Sequence, residues 1–212
     1  MDARTYFLML HEGAHTKGKS RRVFSVPTPE QWRTVVPGHN SIAWCVWHIA
    51  RGEDWAVSVI RGDEQLLVRD GWEHRLGVAR RDFGMGMTAQ EAAHLSASID
   101  LDALRGYYDA IYMETRRFVQ SIDFDALTER MGDADRRRAL ELMGPGGEPM
   151  RGHVELWATR LNYLNVMALV DVYYHFDEAD HIVRLLAPER VIEVLSVPAA
   201  PQTAAVRSNV RS

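Results

Sequence analysis

The chain has one cysteine, Cys45, so no disulfide can form within it, and a reducing, cytoplasmic setting is the expectation. It also lacks any long apolar run. The stretch from Tyr6 to Leu10 stops at His11 and Glu12, too soon for the core of a signal peptide. The uncharged run from Leu161 to Val170 ends at Asp171, far short of the ~20 residues a membrane-spanning helix needs. Charge of one sign is scarce as well: 25 Lys and Arg against 29 Asp and Glu leave a net charge of −4. That balance gives no general attraction to nucleic acid or to an anionic membrane. The nucleotide motif GxxxxGK[ST] is missing, Gly84-Met85-Gly86 completes no dinucleotide fingerprint, and there is no GxSxG. A single cysteine also excludes CxxC chemistry and cysteine-rich zinc sites.

What is present is an ordinary globular composition. Of 212 residues, 46% are hydrophobic and 25% charged, enough to bury a sizeable core. No repeat or mid-chain linker is visible, so residues 1–190 are expected to form one domain, with 191–212 as a flexible tail. Apolar residues at helical spacing predict helices over Thr5–Val23, from an Asn40 or Ser41 cap to Gly62, over Leu101–Ile122, and over Val154–Leu186 as one helix or two. Residues 63–88 carry four glycines and read as a long irregular connection, and Gly144-Pro145-Gly146-Gly147 reads as a break. No segment alternates as a strand does. The expected architecture is an all-α, four-helix bundle with long connections.

Chemistry-bearing residues in such a pattern are few. His48 sits in the apolar phrase Trp44-Cys45-Val46-Trp47-His48-Ile49-Ala50. Asp171 and His175 are four apart and share a helix face, with Glu178 three residues further on. His48 crossing the bundle to Asp171 and His175 would make a two-imidazole, one-carboxylate site suited to Zn, Ni, Fe or Mn. The plainer reading is a hydrogen-bonded core histidine beside a simple Asp–His pair. Trp44 and Trp55, at −4 and +7 from His48, are candidates for a pocket wall, although a Trp stripe at helical spacing is more often core. Cys45 reads as a small buried hydrophobe. His11 and His15 are an i, i+4 pair that could form a rival metal site, but the polar run after them favours exposure; Tyr107, Tyr112 and Phe118 are candidates for an exposed dimer face.

The phrase from His39 to Asp54 (HNSIAWCVWHIARGED) resembles the second-helix signature of the DinB-like superfamily. That superfamily includes bacillithiol- and mycothiol-dependent transferases and the mycothiol-dependent maleylpyruvate isomerase. The resemblance implies an up-down-down-up four-helix bundle, commonly a homodimer, with a metal held by three histidines. The first of these maps onto His48, and the other two form an H-x-x-x-H pair in the last helix. Here that pair reads Asp171-Val172-Tyr173-Tyr174-His175, so His175 matches while Asp171 departs from the pattern. Glu178 matches the polar residue three positions on and is expected in the outer shell of the site. The implied activity is metal-dependent transfer involving a low-molecular-weight thiol. The alternatives are a metal- or small-molecule-binding bundle without turnover, and a structural homodimer without metal.

Overall fold

A computed structural model describes residues 1–78 and 80–191; apart from Val191, the expected flexible tail lies outside the described residues. Helix α1 (Ala3–Thr16) begins where Asp2 Oδ1 accepts from the Thr5 N–H at 2.8 Å. Gly18, at φ +60°, then turns the chain, so α2 (Lys19–Ser25) is a separate helix where the sequence predicts one. A short α3 (Pro29–Arg33) follows. Helix α4 (Ile42–Arg61) starts at Ser41, whose Oγ accepts from the Trp44 N–H, and ends at Gly62 in the left-handed conformation. The stretch expected to be irregular contains α5 (Leu66–Arg69) and α6 (Trp72–Leu76), and is followed by α7 (Ala89–Ser98). Helix α7 is opened by a reciprocal Thr88–Glu91 cap.

Helix α8 (Leu101–Ser121) is the third long one, and α9 (Asp133–Met143) leads into a 3₁₀ turn over Gly144–Met150. The last stretch comprises α10 (Arg151–Leu156), α11 (Arg160–Asn165), one π-helical segment over Val166–Val170, and α12 (Asp171–Leu186). Among the described residues there is no strand, only an isolated bridge between Arg130 and Thr159. The fold is all-α. Among the same residues no helix is long and apolar enough to cross a membrane.

Contacts between the long helices give their directions. Arg51 reaches Tyr107 and Arg61 reaches Glu114, so α4 and α8 run parallel. Arg4 donates to the Ile122 carbonyl while His15 meets Tyr108, so α1 runs against α8. His48 faces Asp171 while Asn40 bonds Glu178, so α12 runs against α4.

Helix α4 lies between α8 and α12 and passes through both apolar clusters of the core. Every residue of it except Arg61 is buried. A helix with no wet face must find a partner for each polar side chain it carries. Arg51 and Asp54 pair with one another, with Tyr107 and with Gln65, fastening α5 onto α4. Ser58 lies against Asp54 and the Glu64 carbonyl, and the polar residues left over, His48 and Glu53, define the places where chemistry is to be sought.

Two sequence expectations fail here. Tyr107 and Phe118 are buried in the core rather than exposed on a dimer face, because α8 turns its apolar stripe toward α4. Tyr112 is half-buried and stacks on His11.

Helix α2 is tied to α12 by Asp180, which accepts from Arg22 at 2.6 and 2.8 Å and from Arg184 at 3.0 Å. Burial pushes the Asp180 carboxyl up, but these hydrogen bonds and charges more than reverse that and hold it below its ordinary value. A lowered carboxyl stabilises the fold above its unfolded value near about 4 and loses that effect as pH falls through the folded value. Asp180→Asn is therefore expected to cost about 2 kcal/mol at pH 7, with the gap from wild type closing below about pH 4. Urea unfolding across that range measures it.

Candidate metal centre

His48 is held by its Nδ1, which bonds the carbonyl oxygen of Phe83. A carbonyl only accepts, so Nδ1 carries the hydrogen, and in the neutral ring Nε2 presents a lone pair. That lone pair faces Asp171 Oδ2 at 3.2 Å. Yet Asp171 Oδ2 is buried and has no hydrogen-bond partner among the described residues.

His175 is fixed in the same way from the other side. Its Nδ1 lies 3.1 Å from Glu178 Oε2, and its Nε2 lies 3.6 Å from Asp171 Oδ1. Glu178 accepts from both the backbone N–H and the side-chain amide of Asn40, at 3.0 and 3.1 Å. Burial raises the Glu178 carboxyl, but the hydrogen bonds from His175 and Asn40 outweigh this and hold it at about 2. It is a carboxylate at neutral pH, so His175 Nδ1 donates to it and Nε2 is again the open lone pair.

Three electron-rich groups thus converge on one point: two imidazole lone pairs and a carboxylate. Their donor atoms lie within 4.8 Å of one another. Acceptors facing acceptors in a buried site repel unless a cation lies between them. Ligands held about 2.0–2.2 Å from one ion lie about 3–3.5 Å apart, close to the spacing seen here. The outer hydrogen bonds to Phe83 and Glu178 are of the kind that orient ligating histidines. The residues present fit a divalent metal. The π-helical segment directly before Asp171 widens the last helix at this point. Across from it Gly52 leaves room, since a Cβ there would sit 2.3 Å from Met167 Cε.

Trp44 stacks on the His48 ring with 4.7 Å between centroids, so it borders the site as the sequence suggests. Trp55 lies in the core, as the commoner reading of such a Trp has it. Two turns along α4, it is fully buried against Phe83 and Tyr163, and its Nε1 donates to the Ala139 carbonyl. Cys45 lies near His175 and Glu178, but burial, then the Glu178 charge, push its thiol well up, which disqualifies it as a nucleophile. Two clefts meet at Gly38–Asn40. One, of about 820 Å³, is polar and reaches His175 and Glu178; the other, of about 470 Å³, is bordered by Trp44 and Met87.

A second cluster was read only in part: the sequence names His11 and His15 as a rival pair, but not Glu53, and favours their exposure. His11 and His15 are not exposed: they lie inside the bundle with 4.2 Å between ring centroids, each facing one oxygen of Glu53. The polar run that suggests exposure belongs to α2, beyond the turn at Gly18. A charged residue in the midst of the apolar α4 phrase was the available signal.

A sequence profile of the DinB superfamily matches residues 12–158. The chain belongs to the DinB superfamily. The matched stretch includes His48, whereas Asp171 and His175 lie beyond it. No curated protein matches the chain. Among solved structures, a conserved protein from Enterococcus faecalis is similar in fold, with a TM-score of 0.64 at 18% identity over 89% of this chain and 99% of that one. For this DinB-superfamily chain the likeness speaks to the fold, and the site rests on its own residues.

Proposed function

We propose that this DinB-superfamily chain holds a divalent metal at His48, Asp171 and His175 and uses it to transfer a low-molecular-weight thiol to an electrophile. The observation that carries the reading is the convergence of two imidazole lone pairs on the two oxygens of the Asp171 carboxylate, of which Oδ2, facing His48, is buried without a partner among the described residues. A metal there supplies Lewis acidity, which favours the thiolate form of a small thiol. The protein does the rest. Phe83 and Glu178 fix the two rings, and Asn40 fixes Glu178. The polar cleft carries His39 and His181 together with the pairs Lys19–Asp177 and Arg184–Asp180, groups of both signs for the polar ends of a thiol, and the cleft beside Trp44 and Met87 suits an apolar electrophile. With Cys45 buried, the nucleophilic sulfur comes from the co-substrate.

Elemental analysis of protein purified without affinity tag or chelator tests the metal, and conjugation assays over a panel of small thiols test the transfer. About one equivalent of Zn, Ni, Fe or Mn at this centre and thiol-dependent turnover are expected; protein free of all four refutes the reading. Asp171→Ala should weaken metal binding, Asp171→His should strengthen it for Zn and Ni, and Glu178→Gln should weaken it about tenfold, as an outer residue does. A second reading, a metal- or small-molecule-binding bundle without turnover, is favoured by Asp171 itself. Its negative charge, in place of a neutral imidazole, reduces the acidity the metal can lend. Metal without thiol turnover would select it.

A further inference from the structure

The second buried cluster poses the same electrostatic problem as the first. Glu53 is fully buried on α4, and its two oxygens are approached by two rings from α1: His11 Nε2 lies 2.8 Å from Oε1 and His15 Nε2 lies 3.1 Å from Oε2. The His11 approach has hydrogen-bond geometry. The His15 approach does not: His15 Nε2 and Glu53 Oε2 are both buried without a hydrogen-bond partner. They face each other at contact distance, yet even a hydrogen on Nε2 would not point at the oxygen. His15 Nδ1 is already engaged by Tyr108 Oη at 2.7 Å, and Tyr108 Oη also lies 3.2 Å from the His15 carbonyl, to which it can donate. In that arrangement Nδ1 carries the hydrogen and Nε2 is a lone pair aimed toward a carboxylate. A third buried atom, His11 Nδ1, is also without a partner among the described residues.

We infer that His11, His15 and Glu53 form a second, closed site for a divalent first-row metal, separate from the centre at His48. Two Nε2 atoms and both Glu53 oxygens supply four donors, the number that a structural zinc site uses. When the metal enters, the His11 hydrogen moves from Nε2 to Nδ1, so the ring stays neutral and no net proton is required of it. Tyr108 holds His15, and Tyr112 stacks on His11 with 5.2 Å between centroids. These contacts orient both rings, as outer groups do around a metal. Neither cleft that reaches the first centre is lined by these residues. The metal here joins α1 to α4 and takes no part in turnover. Because the site is sealed, it fills as the chain folds.

The test uses the full chain carrying His48→Ala and His175→Ala, which removes the first centre and leaves this one intact. The protein is unfolded with chelator and refolded with or without Co²⁺, and its folding is verified by circular dichroism. One equivalent of Co²⁺ with visible absorption, and a higher Tm than the chelator-refolded protein, are expected. Adding Glu53→Gln, which preserves the shape of the side chain, should weaken retention at least about 100-fold, as should adding His15→Ala. If the folded double variant takes up no Co²⁺, or if Glu53→Gln keeps all of it, the cluster is held by protons and the inference is wrong. Failure of the His48 centre would instead appear as unchanged metal content between wild type and the double variant.

Discussion

Alanine at His48 is expected to lower the metal content of the protein by one equivalent per chain. The imidazole cannot be replaced by a neighbour: Trp44 covers one face of the ring, and Phe83 offers only a carbonyl held by the Nδ1 that alanine lacks. Two ligands then remain, Asp171 and His175, both on α12, and one helix turn gives no closed site. Affinity should fall more than the roughly 100-fold that loss of an outer-shell partner causes. Thiol turnover should fall with it, while circular dichroism shows the fold retained. Equal metal content in wild type and His48→Ala, after identical purification, would make His48 a core histidine and nothing more.

Asp54→Ala should produce the largest loss of stability of any single change considered. Its carboxylate accepts from the Leu66 and Leu67 N–H groups at 2.8 and 2.9 Å, from Tyr107 Oη at 2.6 Å, and from Arg51 at 2.9 Å. Both charged partners are almost wholly buried. Removing Asp54 strands the Arg51 guanidinium without its counter-charge and leaves two backbone donors unpaired, at a cost of about 3–5 kcal/mol. For a chain of this size that corresponds to a Tm lower by roughly 10 °C. A loss below about 1 kcal/mol in urea would show that water reaches this network and pays its hydration.

The long helices were legible because their ends are chemically marked: Ser41 and Gly62 bound α4 where the spacing of apolar residues predicts. His48, Asp171 and His175 were legible for a different reason. The i, i+4 relation places two of them on one face of α12, and the phrase around His48 carries the superfamily likeness. The outer hydrogen bonds were only partly legible. Glu178 stood three residues from His175, but nothing local announces that the Phe83 carbonyl returns to His48 from 35 residues away. The His11–His15–Glu53 cluster was obscured in the same way. Its two halves lie on different helices, and burial of His11 depends on how α1 docks. Helix α7 was within reach of the sequence: Thr88 and Glu91 are a local cap signal directly after the glycine-rich stretch. For Trp55 the spacing left a pocket wall and core both open, and its burial against Phe83 and Tyr163, with its hydrogen bond to Ala139, places it in the other half of the core.

The carbonyls of Arg81 and Phe83 are both taken by side chains of α4, the first by Arg51 and the second by His48, one turn apart on the helix. A surface connection between helices is ordinarily where evolution inserts residues and where proteases cut. This one has the opposite character. An insertion anywhere between Arg81 and Phe83 would throw the two acceptors out of step with the two donors. The same event would unpin the ring that offers its lone pair to a metal and expose the guanidinium that stabilises the core. The number of residues in this segment is thereby as fixed a part of the protein's chemistry as the identity of its histidines.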